Sequence, residues 1–323
     1  MDQILGRNNL YLAFWKARKG KNAFDYVEVY RNDLENNINE LQSEIKNAQV
    51  LVGNYNYFKV YDPKERVICA ADFRERVLHH ALMNVCHEIF EKYQIYDSYA
   101  SRKGKGQYAA LDRAMYYQKK YKWFLKLDVR KYFDSIDHGC LMGLLERKFK
   151  EPKLLSIFEQ ILNSYSTAVG KGLPIGNLTS QYFANHYLAY SDHYIMEQIK
   201  VNAYVRYMDD MVIWGNDKEA LLDKGILLQS FISQKLKLEL KPFCLNKVVY
   251  GLPFLGYVVH PYHLHLNKNS KKRFKSKLKQ YQANLDKGTW TQNDFQRRIL
   301  PLLAFAEKAE SKNFRAICLR KKE

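Results

Sequence analysis

The chain has few cysteines, and they are not paired. Its 5 cysteines are scattered between Cys69 and Cys318, with no C-x-x-C pair, so neither a zinc site nor a disulfide framework is supported. No run of about 18 apolar residues is available to span a bilayer. The start, Met1-Asp2-Gln3, lacks the basic and then apolar order of a secretory signal. These absences favour a cytoplasmic protein with no membrane partner.

Other familiar patterns are missing as well. The Gly-rich stretch 170–176 does not have the G-x-x-x-x-G-K-[ST] spacing of a P-loop. Histidines cluster only at 79–80 and 260–265, without a convincing metal-ligand pattern. No internal repeat or low-complexity segment interrupts the chain, so we expect a globular protein built from a few subdomains.

Acidic residues are fewer than basic ones. Lysine and arginine outnumber aspartate and glutamate by 52 to 34 over 323 residues, which gives a net charge of +18 and a pI near 9.4. A protein this basic favours a polyanionic partner, and nucleic acid is the first candidate ahead of a membrane surface. The hydrophobic fraction of 47% is enough for real cores.

Strand and helix patterns alternate without a strict βαβ repeat, which predicts the α+β class. The periodicity predicts helices at about 34–48, 77–90, 141–149, 152–164, 179–198 and 218–235. It predicts strands at about 123–129, 203–207, 211–214, 236–240, 248–250 and 254–259, and a strand-like region from residue 57 with Pro63 in a turn.

Two predicted strands end in carboxylates. Asp209 and Asp210 lie at the tip of a predicted hairpin, and Asp128 ends the strand 123–129. Turn formation alone explains an Asp-Asp tip, but a second acidic strand end favours a divalent metal between mutually repelling charges. Asp134 and Asp137 are more simply a turn residue and a helix cap.

Basic residues concentrate in two further segments. The loop 101–107 combines two glycines with Arg102, Lys103 and Lys105, which fits either a close approach to a phosphate or a solvated loop. A helix beginning near residue 268 keeps apolar residues at steps of three and four, while its other face is basic. The cations of this face are Lys271, Lys272, Arg273, Lys275 and Lys279. A merely soluble basic face is the alternative.

Strand-end carboxylates in a basic protein fit metal-assisted phosphoryl transfer on a nucleic acid. Two Mg²⁺ ions about 3.5–4 Å apart can activate an attacking hydroxyl and stabilise the leaving oxygen. Asp128 and Asp209 would be the primary ligands, with Asp210 in support. A nuclease would use similar carboxylates, so the residues alone leave the reaction open.

Five motifs in one order narrow the choice. They are Leu127-Asp128 through Phe133, Gly172-Leu173-Pro174-Ile175-Gly176, Tyr207-Met208-Asp209-Asp210, Lys247, and Phe254-Leu255-Gly256-Tyr257. In this order they resemble reverse transcriptases over about residues 57–260. The resemblance implies a right-hand polymerase with fingers at 1–120 and part of 140–200, a palm at 121–265 and a helical basic thumb at 266–323.

The subfamily signal lies in 175–181 and in the segments 61–68 and 181–185. Ile175-Gly176-Asn177-Leu178-Thr179-Ser180-Gln181 resembles the [ILV]-G-x-x-x-S-Q signature of reverse transcriptases from diversity-generating retroelements. The chain length, which leaves no room for an RNase H or maturase segment, suits this group and retrons alike. A retron-type enzyme and a non-catalytic RNA-binding scaffold are the alternatives.

The resemblance also implies roles residue by residue. Metal ligands would be Asp128, Val129, Asp209 and Asp210, and Lys247 would protonate the leaving pyrophosphate. Nucleotide contacts would come from Arg66, Arg74, Phe133 as a steric gate against the 2′-hydroxyl, Ile175, Gly176 and Gln181. Nucleic-acid contacts would come from Arg102, Lys103, Lys105, Tyr207, Met208, the primer grip Phe254, Leu255 and Gly256, and the basic face beginning at Lys271.

Partners follow from the resemblance in the same way. They are dNTPs, a template-repeat RNA that is copied into adenine-mutagenised cDNA, the resulting RNA/cDNA hybrid, and an oligomeric accessory variability determinant. Ile175 offers only shape where relatives carry a hydrogen-bonding glutamine, so base discrimination is expected to weaken. The apolar stretch 10–15 is a candidate docking surface for the accessory protein, with core packing as the simpler explanation.

Overall fold

The computed structural model describes residues 1–21, 24–61 and 65–320. The predicted turn at Pro63 lies outside the described residues. Over the described ranges, helices and strands mix without a βαβ repeat, as expected for an α+β protein. None of the helices in these ranges is long and apolar enough to cross a membrane.

The helices are α1 (Asp2–Leu5), α2 (Arg7–Arg18), α3 (Asp25–Asn32), α4 (Leu34–Asn47), α5 (Phe73–Tyr93), α6 (Gln107–Lys120), α7 (Tyr132–Ser135), α8 (His138–Glu146), α9 (Pro152–Asn163), α10 (Leu178–His193), α11 (Lys218–Leu236), α12 (Lys268–Asp286), α13 (Gln292–Glu307) and α14 (Lys312–Leu319). A π-helical turn, Tyr194–Gln198, continues α10. The strands are β1 (Tyr55–Tyr61), β2 (Glu65–Ala71), β3 (Trp123–Asp128), β4 (Tyr204–Tyr207), β5 (Asp210–Gly215), β6 (Cys244–Lys247), β7 (Leu252–Phe254), β8 (Tyr257–Val259) and β9 (Leu264–Leu266).

Side-chain caps fix the start of several helices. Asp137 accepts a hydrogen bond from the Cys140 amide, as predicted, and this starts α8 at His138 rather than at residue 141. Asn267 caps the basic helix α12 through the Ser270 amide. These caps satisfy backbone donors that the first helical turn leaves unpaired.

A four-stranded antiparallel sheet carries the strand-end carboxylates. Its order is β4-β5-β3-β6. On one side of β3, Asp128 lies opposite Asp210 of β5, and on the other side Trp123 lies opposite Lys247 of β6. The β1-β2 ribbon and the three-stranded β7-β8-β9 sheet are separate.

The two faces of the central sheet pack against different cores. Leu125, Leu127 and Ile213 join a core that includes the N-terminal helices, α5 and α8 to α11. Phe124 and Val212 join a second core with α6, β7 to β9 and the C-terminal helices. Because side chains alternate along a strand, Asp128 and Asp210 share the face of the second core. The carboxylates therefore face the region between the sheet and the C-terminal part of the chain.

Three strand predictions need correction. The segment 236–240 is not a strand, since α11 continues to Leu236 and the following residues add only an isolated bridge between Val129 and Leu240. Residues 248–250 form a 3-10 turn directly after β6. The predicted strand 254–259 is two strands, β7 and β8, because Leu255 and Gly256 both have positive φ and reverse the chain. Short apolar runs do not distinguish these cases by periodicity.

Candidate active site

The tip of the β4-β5 hairpin is a two-residue turn. Tyr207 pairs with Asp210, so Met208 and Asp209 form the turn between the strands. Met208 has a φ of 54°, a left-handed conformation that costs a residue with a side chain about 1–2 kcal/mol. This turn presents Asp209 and Asp210 side by side at the end of the sheet, where Asp210 also lies opposite Asp128. The three predicted carboxylates thus come together at one sheet end.

Their electrostatics show the crowding. Burial raises the pKa of Asp209 to about 6, and the negative charges of Asp128 and Asp210 add to this effect. Burial also raises the pKa of Asp210, with Asp128 again contributing. Charged carboxylates in this setting repel one another and favour a cation between them.

Two lysines supply positive charge at the site. The Lys126 Nζ lies 2.8 Å from the Asp210 Oδ1, and the Lys241 Nζ lies 2.5 Å from the Asp128 Oδ1. Lys126 also donates to the carbonyl of Pro253 in β7, at 3.1 Å. Lys126 is two residues before Asp128 on the same strand face, so strand alternation could have identified it. No sequence pattern pointed to Lys241.

The site lacks a ready-made cage of acidic ligands. Within the described ranges, no group of three or more His, Cys, Asp or Glu side chains is placed to hold a metal ion. The chemistry of the donors nevertheless fits a hard divalent cation, because they are carboxylate oxygens and the buried Asp210 Oδ1 has no hydrogen-bond partner beyond its ion pair.

Val129 supplies a further oxygen. Two backbone hydrogen bonds flank Val129: the Lys241 amide donates to the Asp128 carbonyl, and the Arg130 amide donates to the Glu239 carbonyl. Both bonds lie on the side of the chain that faces residues 239–241. In antiparallel pairing this turns the Val129 carbonyl to the opposite side of the chain, towards the hairpin. Asp128, Asp209 and the Val129 carbonyl are the groups that could hold a metal, with Asp210 beside them.

The structure corrects the assignment of Lys247. The antiparallel register places it opposite Trp123, five residues along β3 from Asp128, which is about 16 Å at the rise of a strand. Its Nζ lies over the Trp123 ring, 5.5 Å from the centroid. Lys247 therefore lies at the end of β3 away from the carboxylates, whereas Lys126 and Lys241 lie at the carboxylate end.

Phe133 lies just beyond Asp128, in α7. Its side chain is partly buried, and its carbonyl accepts a hydrogen bond from the Leu173 amide at 2.8 Å. This bond joins the turn after β3 to the Gly-rich segment 172–176. The predicted steric gate is thus close in the fold to the predicted nucleotide segment.

The segment 172–176 is also joined to the β1-β2 ribbon. The Ile175 carbonyl accepts from the Cys69 amide at 2.8 Å. Gly176 has a φ of 121°, and a Cβ there would lie 2.8 Å from the Ile68 side chain, so only glycine fits. Gln181 is exposed near the start of α10 and accepts from Ser101.

The predicted triphosphate arginines differ. Arg66 is exposed on β2, opposite Val60 and on the ribbon face that it shares with Ile68. Arg74, by contrast, forms an ion pair with Glu44 of α4, and both side chains are 19% exposed. Of these two arginines, only Arg66 is exposed on the β1-β2 ribbon.

The loop 101–107 is less available than expected. Arg102 donates to Glu91 and to the carbonyls of Ile95 and Ser98, and its side chain is only 9% exposed. These contacts give Arg102 a structural role in place of the predicted nucleic-acid contact. Lys105 lies over the Tyr96 ring at 3.4 Å, and Lys103 is exposed.

The predicted primer grip is a tight turn between β7 and β8. Phe254 is buried, and the Leu255 carbonyl accepts from Gln107 at 2.7 Å. Gly256 has a φ of 89°, and a Cβ there would lie 2.9 Å from the ring of Phe305 in α13. Contacts from this turn would come from its backbone and from the partly buried Leu255 rather than from Phe254.

The basic face of α12 is as predicted in its exposure. Phe274 is buried against the second core, and the exposed cations are Lys271, Lys272, Lys275 and Lys279. Arg273 is half-buried, with its guanidinium 5.3 Å from the Phe305 ring centroid. The helix separates an apolar face from a basic one.

Comparison with known families decides the relationship. Residues 59–259, more than half of the chain, match the family described as reverse transcriptase (RNA-dependent DNA polymerase). The chain belongs to the reverse transcriptase family. The matched range contains the three carboxylates, Phe133 and the 172–176 segment. It begins within β1, at Lys59, and ends with β8.

Curated relatives come from several organisms. The group II intron-encoded protein LtrA of Lactococcus lactis is 25% identical over 140 residues, 42% of this chain and 23% of that protein. An uncharacterized 91 kDa protein in a cob intron of Schizosaccharomyces pombe is 27% identical over 128 residues, 38% of this chain and 16% of that protein. Protein YkfC of Escherichia coli is 21% identical over 272 residues, 67% of this chain and 71% of that protein. The chain spans about a fifth of the length of the intron-encoded relatives.

Solved structures agree on the fold. Apo telomerase from Candida tropicalis superposes with a TM-score of 0.52 at 15% identity, covering 76% of this chain and 57% of that one. The same enzyme in complex with a TWJ fragment of telomeric RNA gives a TM-score of 0.51 at 15% identity, with 86% and 58% covered. At this identity the likeness shows the right-hand polymerase fold alone.

Proposed function

We propose that this reverse transcriptase family member is an active RNA-directed DNA polymerase that extends a primer by magnesium-assisted nucleotidyl transfer. The observation that carries the proposal is the meeting of Asp128, Asp209 and Asp210 at one end of the central sheet, within the matched family range. An idle scaffold would have no use for half-buried carboxylates placed so that Asp128 and Asp210 add to the raised pKa of Asp209.

The residues divide the work of that reaction. Asp128 and Asp209, with the Val129 carbonyl and Asp210 in support, would hold two Mg²⁺ ions. When bound, such ions activate the primer hydroxyl and stabilise the leaving pyrophosphate. Phe133 would exclude nucleotides with a 2′-hydroxyl, and Arg66 would hold the triphosphate.

Lys241 is the group we propose for proton transfer to the leaving pyrophosphate. It lies at the Asp128 carboxylate, and its ammonium would be released from that ion pair as a divalent cation takes over the carboxylate charge. Lys126 would remain on Asp210, where it offsets the third negative charge.

Domain roles and nucleic-acid contacts extend the proposal to the rest of the chain. Fingers at 1–120 and part of 140–200, a palm at 121–265 and a thumb at 266–323 would enclose the template RNA and the RNA/cDNA hybrid. The exposed lysines of α12 and Lys103 would contact phosphates, and the 254–256 turn would contact the primer.

The finer proposal is a diversity-generating retroelement enzyme. The Ile175 to Gln181 signature supports it, together with the backbone bond from Leu173 that joins the 172–176 segment to Phe133. Such an enzyme would copy a template-repeat RNA into adenine-mutagenised cDNA together with an oligomeric accessory variability determinant. The matched intron-encoded relatives make an intron-type enzyme the second candidate.

A primer-extension assay tests both levels. Purified protein with Mg²⁺, dNTPs and a primed RNA template should yield extended cDNA, and sequencing should show substitutions concentrated opposite template adenines. Asp128→Asn, which keeps the shape but removes the ligand charge, is the control. Absence of extension by the wild-type protein would reject polymerase activity, whereas accurate extension would reject only the mutagenic subtype.

A further inference from the structure

A fully buried ion pair lies directly behind the Met208-Asp209 turn. Arg206 of β4 and Asp192 of α10 are both 0% exposed. The Arg206 Nε lies 2.9 and 2.8 Å from the two Asp192 carboxylate oxygens, and one terminal nitrogen lies 2.7 Å from Asp192 Oδ2. Tyr204 donates to the same carboxylate at 2.7 Å. The carboxylate therefore holds the guanidinium plane in one orientation.

The other donors of Arg206 reach the turn and its surroundings. Nη1 donates to the Met208 carbonyl and to Asn185 Oδ1, both at 3.2 Å. Nη2 donates to Gln94 Oε1 at 3.1 Å. One side chain thus ties the turn to α10 and to the residue that follows α5.

Energetics argue against stability as the reason for this pair. Two buried charges lose their hydration, and replacing such a pair by apolar side chains of similar volume is often neutral or stabilising. We therefore look for the benefit of the Arg206–Asp192 pair in how it positions the neighbouring turn. The Met208 carbonyl belongs to a residue with a φ of 54°, a strained conformation that needs support from its surroundings.

We infer that Arg206, oriented by Asp192, is a positioning residue that holds the Met208-Asp209 turn in its strained form and thereby sets the affinity of Asp209 for a divalent cation. The consequence for nucleotide transfer rests on the proposed function, whereas the effect on cation binding can be measured separately. Arginine is required because a single ammonium cannot meet Asp192 and the Met208 carbonyl in fixed directions together.

The test is a double variant, Arg206→Met with Asp192→Leu, which removes both charges together so that neither is left buried without its counter-charge. We expect it to fold with a melting temperature close to wild type, but to bind Mn²⁺, measured by electron paramagnetic resonance, at least about tenfold more weakly. Extension should need correspondingly more Mn²⁺, while the KM for dNTP changes less than the cation requirement.

Arg113→Met is the matched control. Arg113 makes a similar two-point contact with Asp97, at 2.9 and 3.0 Å, but does not touch the turn. This variant should keep wild-type Mn²⁺ binding even if it loses some stability. A folded double variant with wild-type Mn²⁺ affinity would overturn the inference.

Arg206→Lys covers the case in which the double variant does not fold. It retains a cation for Asp192 and should fold, yet bind Mn²⁺ more weakly because the Met208 carbonyl loses its donor. Failure of this variant to fold as well would make the pair structural and would also overturn the inference. If the wild type binds Mn²⁺ through Asp209 but extends no primer, the proposed function fails while the positioning role stands.

Discussion

The two ends of strand β3 have opposite chemistry. At one end Asp128 faces Asp210 and pairs with Lys241, beside the Asp209 turn. At the other end Trp123 faces the exposed Lys247 in a cation–aromatic contact. Both ends are basic, but only one combines lysines with half-buried carboxylates. A lysine's role therefore depends on its register along the strand and not on its order among motifs.

The sharpest way to break this comparison is to remove each lysine in turn. Lys241→Leu should lower kcat by about a hundredfold, the scale of losing a proton donor. Lys247→Leu should change it less than about twofold, since Lys247 pairs with Trp123, which is five residues or about 16 Å along β3 from Asp128. Single-turnover nucleotide incorporation on a primed RNA template measures both. Equal losses in the two variants would contradict the assignment.

The crowded carboxylates at this end of β3 should also lower the free energy of unfolding. Asp209→Asn should raise the free energy of unfolding at pH 8 by about 1–3 kcal/mol in the absence of divalent metal, because burial and like charge disfavour the ionised form. The folded pKa, about 6, is above the unfolded value, so the wild type gains stability as the pH falls through 6 and the difference should shrink towards pH 4. Urea unfolding at several pH values measures it. A variant less stable than wild type at pH 8 would refute the crowding.

Phe133 tests how far the functional end of β3 extends. Phe133→Ala should raise incorporation of ribonucleotides relative to deoxynucleotides by about tenfold or more, since a bulky ring would no longer oppose the 2′-hydroxyl. Paired kcat/KM measurements for dNTP and rNTP give the ratio. Tyr132→Phe is a neighbouring control, because Tyr132 is buried and donates to the Ala184 carbonyl. An unchanged ratio in Phe133→Ala would leave Phe133 as a packing residue.

The smallest effect is expected at Ile175. Ile175→Gln should lower misincorporation opposite template adenine by a few-fold, because an amide can add hydrogen bonds where isoleucine offers only shape. Sequencing of cDNA from the two proteins measures it. Unchanged adenine substitution would refute the link between Ile175 and infidelity.

Local pattern predicted the parts of the site that are local. The hairpin, the carboxylate ends of two strands and the basic face of α12 follow from alternation, helical spacing and charge. Lys126 could have been added by the same alternation. The structure places each of these elements as its pattern required.

The other parts of the site depend on long-range strand pairing. The register of β6 against β3 places Lys247 at the end away from the carboxylates, and this register could not be derived from motif order. Lys241 follows Leu240, which forms an isolated bridge with Val129. The apolar pattern predicts a strand over 236–240 and gives no indication of this bridge. Arg102 was predicted to contact nucleic acid, yet its contacts are with Glu91 and nearby carbonyls. The Arg206–Asp192 pair joins residues on different elements, and no motif signals it.

The central claim is that the carboxylates at one end of β3 bind divalent cation for primer extension. Its most direct test is the rate of single-nucleotide incorporation against Mg²⁺ concentration for wild type, Asp128→Asn and Asp209→Asn. The wild-type rate should rise to saturation with Mg²⁺ and vanish with chelator, and each variant should be slower by at least about a thousandfold at saturation. Incorporation that persists in both variants, or that ignores chelation, would contradict the account.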